Sequence, residues 1–337
     1  MRVRLKDIAD QVGVSVVTVS KVLQNYPDVS EETRKRVLAK AKELGYQPNW
    51  AARSLVTRKS FTIGMVLPHL RHTFFQEAYR AITGIAAPKG YTVLMTVSHE
   101  DPQQEEKEID QLLARQVDGL LIASTHPYGG GEFLQRLEER GVPYVLLDRE
   151  FRGRKANFVG IDDRALGMMA TRHLIEQGCR HIAHLRGPEV STAVARLEGY
   201  RQALAEAGLA GHPHYVAGGK GDDDTGYWAM QGLLKTSPRP DGVFCYNDPV
   251  AAGAMRAALE AGLRVPDDIA IIGAGNMHYS DLFRVPLSTI DQRSEEVGAR
   301  AGELILDLVT AKKKRREPRR VLVSPRLVVR ESSRRKV

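Results

Sequence analysis

From Phe61 onward, short apolar runs alternate with amphipathic stretches, and this alternation constrains the fold more than any other feature of the chain. The runs lie at 61–67, 91–97, 117–123, 142–147, 157–161, 181–185, 242–246 and 269–273. Helical patterns lie between them, for example at 101–115, 164–177, 194–207, 225–234 and 249–261. A strand–helix–strand repeat requires parallel strands joined by right-handed crossovers. Eight runs predict two doubly wound parallel sheets, each the heart of a subdomain, with a ligand cleft between them.

Charge divides the chain differently. Residues 1–60 carry 12 Lys or Arg against 6 Asp or Glu, residues 311–337 carry 12 against 2, and the middle carries 25 against 33. A basic head on an acidic body points to a polyanion touched by one part only. The basic run 312–316 is read as a solvated loop. No run of about 18 apolar residues predicts a membrane span, and no apolar segment follows the basic N-terminus as in a secretory signal, so a cytoplasmic protein is expected. Cys179 and Cys245 have no C-x-x-C neighbour and read as separate thiols.

The head reads as three short helices. Leu5, Ile8, Ala9 and Val12 share one face, and Gly13 ends that helix. Ser15 caps a second helix with Val19, Val22 and Leu23 inward. A third follows Ser30, with Glu31 and Glu32 in its first turn and an inward stripe of Val37, Leu38, Ala41 and Leu44 closed by Gly45. Small Ala9 and Gly13 let two helices cross tightly, the packing of a helix-turn-helix whose second helix enters the major groove. Its leading positions are Val16, Val17, Thr18, Ser20 and Lys21. Lys21 is suited to guanine, and the two valines to thymine methyls. Ser15, Thr18, Asn25, Ser30 and Thr33 suit phosphate oxygens. On packing alone, a small helical bundle with a structural or protein-docking role remains the alternative.

The full string carries a more specific message. Leu5-Lys6-Asp7-Ile8-Ala9, Val12-Gly13-Val14-Ser15, Thr18-Val19-Ser20-Lys21-Val22-Leu23 and Leu44-Gly45-Tyr46 through Pro48-Asn49 to Ala52-Arg53-Ser54-Leu55 together resemble the LacI/GalR family of bacterial transcriptional repressors. The resemblance implies a helix-turn-helix domain over 1–47, a hinge helix and linker over 48–60 with Asn49, Arg53 and Leu55 on the DNA, and an effector-binding and dimerisation domain over 61–337. Leu55 matches the family's leucine wedge, which opens a base step from the minor groove. Val16 and Val17 stand where many relatives carry polar residues, so no relative's operator transfers to this chain.

The body also resembles this family, through Val117-Asp118-Gly119, Leu147-Asp148-Arg149, Gly178-Cys179-Arg180-His181, Arg196 with Gly199-Tyr200, Asn247-Asp248 and Val265-Pro266-Asp267-Asp268. The resemblance implies a periplasmic-binding-protein type I fold, with subdomains at about 61–160 plus 291–320 and about 161–290 plus 321–331. It implies effector contacts from His72, Phe74, Phe75, Arg149, Arg196, Asn247 and Asp248, and from Asn276 in the loop after run 269–273. Arg196 is the foremost of these, since a guanidinium holds a carboxylate or vicinal hydroxyls with paired donors. Its alternative is a surface ion pair with Glu198 or another helix neighbour. Of Phe74 and Phe75, one is expected to face the cleft and one the core. Where relatives often carry an aspartate, the loop here has Gly275; where they often carry a stacking aromatic, the chain has Gly221. Both departures lean toward an anionic effector such as a sugar acid.

Gly273-x-Gly275 lacks the third glycine of a dinucleotide fingerprint. His69-x-x-His72, His181-x-x-His184 and His212-x-His214 lack further ligands at metal spacing, and Gly129-Gly130-Gly131 lacks the Lys of a phosphate loop. No cofactor and no metal are expected. The reading is a homodimeric repressor of a carbohydrate or sugar-acid operon, not an enzyme, binding a pseudo-palindromic operator. No C-terminal leucine heptad is present to build a tetramer. The alternatives are the same regulator under a protein co-regulator, a cytosolic α/β enzyme with an accessory head, and a pure solute-binding protein.

Overall fold

The computed structural model describes residues 3–23, 26–46, 59–311 and 317–335. It forms two units, Met1–Ser60 and Phe61–Val337.

In the first unit, α1 (Leu5–Val12), α2 (Val16–Leu23) and α3 (Glu31–Glu43) enclose a small core of Ile8, Ala9, Val12, Val19, Val22, Val37 and Ala41. Local signals set the boundaries. Gly13 takes φ +75° to end α1, a conformation open to glycine at little cost. Ser15 Oγ accepts the Thr18 N–H at 3.0 Å, and Ser30 Oγ accepts that of Thr33 at 3.3 Å. Arg36 donates to the Val12 carbonyl at 2.6 Å, tying α3 to the orphan end of α1. One expectation fails: Leu38 is 46 % exposed. Val37 and Ala41 occupy the inward face, and a residue one step from Val37 is turned about 100° away.

The second unit contains two six-stranded sheets. The first has the order β11-β5-β4-β3-β1-β2, from Arg320–Val323, Phe158–Ile161, Tyr144–Leu147, Gly119–Ile122, Thr62–Leu67 and Thr92–Val97, and it is wholly parallel. The second has the order β12-β10-β9-β8-β6-β7, from Arg326–Val328, Ser288–Asp291, Ala270–Ala274, Gly242–Cys245, Ile182–Arg186 and Val216–Gly218. Only β12 runs antiparallel there. The eight apolar runs all became strands. The four additional strands carry no continuous buried apolar run: β7, β11 and β12 lie at sheet edges and are partly exposed, and β10 buries Ser288 and Thr289.

The helices are α4 (Thr73–Ala86), α5 (Pro102–Ala114), α6 (Leu134–Glu139), α7 (Asp163–Glu176), α8 (Ser191–Glu206), α9 (Asp223–Leu233), α10 (Asp248–Glu260) and α11 (Ser294–Thr310). Close helix pairs replace bulk with glycine. A Cβ at Gly199 of α8 would sit 2.1 Å from the Arg164 carbonyl oxygen of α7, and one at Gly253 of α10 would sit 1.9 Å from that of Asp223 in α9. The chain crosses between the sheets after β5, after β10 and after β11. The strand pairing of β11 with β5 places Arg320–Val323 on the first sheet. Strand β12 pairs with β10 on the second sheet, so the chain leaves the first sheet between Val323 and Arg326, within the segment expected for the second half.

Candidate functional site: a cleft at the strand ends and a helix edge on the head

In an open parallel sheet, ligands bind beyond the carboxyl ends of the strands. In the body, the segments that leave β1, β4, β6, β8 and β9 at those ends all line one cavity of about 800 Å³. His69, His72, Phe74, Phe75, Glu100, Asp148 and Arg149 come from the first half, and Arg196, Tyr246, Asn247, Gly275, Met277 and Phe283 from the second.

Its two buried guanidinium groups are already engaged. Arg149 donates to both carboxylate oxygens of Glu100, at 3.0 and 3.1 Å, and to the Ser124 carbonyl at 3.0 Å. Its buried Nε has no hydrogen-bond partner and lies 4.0 Å from Asp148 Oδ2. Arg196 is 2 % exposed. It donates through Nε to Asp163 at 2.7 Å and to the Tyr246 carbonyl at 2.5 Å, and its guanidinium lies 4.6 Å over the Tyr246 ring. The expected alternative, a surface pair with Glu198, is not what forms. Burial pushes the Asp148 carboxyl up, against the pull of Arg149 and Arg196. Burial, helped by the Arg149 charge, brings His69 down to about 4 against the pull of Glu100, and His72 down to about 3. The two histidine rings are therefore neutral near pH 7, with centroids 4.4 Å apart.

The other expected effector residues divide. Phe74 and Phe75 both belong to the core and both line the cavity, at 5.2 Å and nearly perpendicular, so neither is purely cleft or purely core. Asn247 lines the cavity but spends its side chain on structure: it caps α10 through the Val250 N–H at 2.9 Å and donates to the Gly221 carbonyl at 2.9 Å. That contact brings the Gly221 backbone itself into the wall. Asp248 does not line the cavity. It is 0 % exposed, and its carboxylate accepts from Met277 N–H at 3.0 Å, Ser280 Oγ at 2.8 Å and Thr289 Oγ1 at 2.6 Å. Asn276 is likewise outside the lining. It follows Gly275 in the left-handed region, φ +50°, and its Oδ1 accepts from Arg330 at 2.8 Å.

Sequence reasoning passed over Asp148, Glu100, His69 and Tyr246, although Asp148 and Tyr246 flank the arginine and asparagine it did select. The glycine at 275 does not leave the cleft without acids: Glu100, Asp148, Glu189, Asp222 and Asp223 line it, beside Arg71, Arg149, Arg196 and Lys220.

On the head, Val16 and Val17 are exposed, while Thr18 and Ser20 are half-buried on the same helix. Lys21 is ion-paired with Asp28. Ser15 and Ser30 are helix caps, and Thr33 Oγ1 accepts from Ser30 at 2.9 Å. Asn25, Asn49, Arg53 and Leu55, the hinge segment 48–57 and the basic run 312–316 lie outside the described residues. Among the described residues no three His, Cys, Asp or Glu side chains are grouped to hold a metal ion, and no helix is long and apolar enough to cross a membrane.

Comparison with known proteins agrees with this geometry. Residues 4–49 match a family model described as bacterial regulatory proteins of the lacI family, and residues 171–333 match a periplasmic binding protein-like domain. The chain is 35% identical over 331 residues to a ribose operon repressor of Halalkalibacterium halodurans, covering 98% of this chain and 96% of that one. It is 37% identical over 334 residues to the HTH-type transcriptional repressor PurR of Klebsiella pneumoniae, covering 97% and 96%. Among solved structures, a lac repressor dimer bound to operator and an anti-inducer superposes with TM-score 0.87 at 27% identity over 99% of both chains. A complex of the transcriptional regulator CelR with cellobiose superposes with TM-score 0.75 at 31% identity, covering 98% of this chain and 100% of that one. The chain belongs to the LacI family of bacterial regulatory proteins, and it is a DNA-binding transcriptional repressor rather than an enzyme.

Proposed function

We infer that this protein is a cytoplasmic homodimer that binds a pseudo-palindromic operator and is controlled by a small polyhydroxyl effector in the body's cleft. The observation that carries the reading is one chain holding both a groove-entering helix with an exposed leading edge and a cavity lined from two separate sheets. A ligand touching both walls stabilises one arrangement of the halves, and control follows from its unequal affinity for the two arrangements. Two heads on a two-fold dimer read two half-sites. The hinge over 48–57, with Asn49, Arg53 and the wedge Leu55, completes the operator contact. The lac repressor structure it resembles is a dimer on operator.

Cleft charge speaks to the effector. Arg149 and Arg196 are matched by Glu100 and Asp163, and His69 and His72 are neutral. The cleft therefore favours a neutral carbohydrate over a sugar acid: hydroxyls accept from the arginines and donate to Asp148 without leaving a charge uncompensated. The relatives named for a ribose operon and for cellobiose fit this class.

The test is a thermal-shift panel of neutral sugars, sugar acids, sugar phosphates and purines on the full chain. A ligand at about 100 times its dissociation constant stabilises by roughly 2.7 kcal/mol, and the same ligand must then change operator affinity. A neutral sugar meeting both conditions supports the reading. An acid hit overturns the charge argument, and silence across the panel shifts control to a protein co-regulator.

A further inference from the structure

The leading edge of the head's second helix is made of methyl groups. Val16 and Val17 open α2 and are 42 % and 65 % exposed. Neither joins the core, which α2 reaches through Val19 and Val22. The polar neighbours of Val16 and Val17 are occupied: the Ser15 hydroxyl accepts the Thr18 N–H at 3.0 Å and is hydrogen-bonded to the Thr18 hydroxyl at 2.9 Å. The Lys21 ammonium, one turn further along, is held by Asp28 from the turn before α3. A lysine engaged by a carboxylate must break that pair before it donates to a base, whereas the valines stand ready.

In the major groove thymine presents a C5-methyl where cytosine presents none, and an aliphatic side chain reads that methyl alone. We propose that each operator half-site sets thymine C5-methyls against Val16 and Val17, and that this apolar contact, not a hydrogen bond from Lys21, fixes the base preference there. The inference rests on the operator reading above and names the chemistry by which the operator is recognised.

The test begins by selecting preferred duplexes from a random pool with the full-length protein. Each thymine of the winning site is then replaced by deoxyuridine, which removes only the methyl. Affinity is measured for the wild type, Val16→Ala, Val17→Ala and Lys21→Met. Because the perturbation is in the DNA, the wild-type result does not depend on any variant folding. One or two thymines per half-site lose roughly fourfold in affinity per methyl, and roughly 15-fold when both half-sites are changed. The penalty shrinks in the matching valine variant and persists in Lys21→Met. Penalties below twofold at every thymine, or penalties unchanged in both valine variants, overturn the proposal. A pool that yields no preferred sequence instead overturns the operator reading on which it rests.

Discussion

Arg196→Met removes a guanidinium that holds three things together: Asp163 at 2.7 Å, the Tyr246 carbonyl at 2.5 Å and the Tyr246 ring at 4.6 Å. Methionine nearly fills the volume, so the main loss is electrical. Asp163 is itself buried, and a buried carboxylate stripped of its partner costs about 3–5 kcal/mol. Burial already pushes the Asp163 carboxyl up, and loss of the cation pushes it further. The folded variant then binds a proton that the unfolded chain has released, so its stability falls as pH rises above the ordinary aspartate range. The penalty is accordingly larger at pH 8 than at pH 5. Urea unfolding of the body followed by circular dichroism reads the difference directly. Asp163→Asn in the same chain removes the stranded charge and recovers most of the loss. A single variant that unfolds within about 1 kcal/mol of wild type, or with a penalty independent of pH, refutes the buried-pair argument. Arg196 would then be a free effector ligand, as the sequence alone proposed. Loss of effector response in an Arg196 variant counts as a lost contact only where the variant is folded.

Three further outcomes follow from the same reasoning. Asp248→Ala strands the buried Met277 N–H and two hydroxyls and lowers stability by about 2–4 kcal/mol in urea unfolding, whereas Asp248→Asn keeps effector affinity within a few-fold by isothermal titration; loss of affinity at full stability would return Asp248 to the cleft. Gly253→Ala forces a methyl to 1.9 Å from the Asp223 carbonyl oxygen and costs about 3 kcal/mol or more by denaturant titration; a neutral result would mean α9 and α10 separate at little cost. Burial lowers His184 to about 3, alongside His69 at about 4 and His72 at about 3. The unfolded chain takes up these protons below about pH 6.5 while the folded one does not, so body stability falls as pH drops from 6.5, by up to about 1.4 kcal/mol per pH unit for each histidine. His184→Gln flattens that slope in pH-dependent thermal melts.

The legible parts of this molecule are those written in local chemistry. Gly13, Ser15 and Ser30 mark helix ends by conformation or capping within a few residues, and the head follows from them. The eight strands that coincide with apolar runs owe that character to a parallel sheet whose faces are covered, and that too is visible without contacts. Direction is harder. Asp148 and Asp248 both follow a strand of the cleft and both sit beside a selected residue. Asp148, at φ +64°, lines the cavity, whereas Asp248, at the first turn of α10, meets Thr289 and Ser280 from more than 30 residues away. Only long-range neighbours decide between these fates. The same holds for Tyr246, whose ring enters the cleft wall because Arg196 and Thr192 of α8 hold it there.

The most direct test of the central claim is the affinity of the full chain for its selected duplex against a scrambled duplex, across a salt titration, with and without the sugar that wins the thermal panel. Sugar-controlled operator binding predicts a specific-to-nonspecific ratio of about 10³ or more, a salt slope set by phosphate contacts in both cases, and a shift in the specific affinity alone when sugar is added. Equal affinity for the two duplexes, or a sugar that binds without moving either, would contradict it.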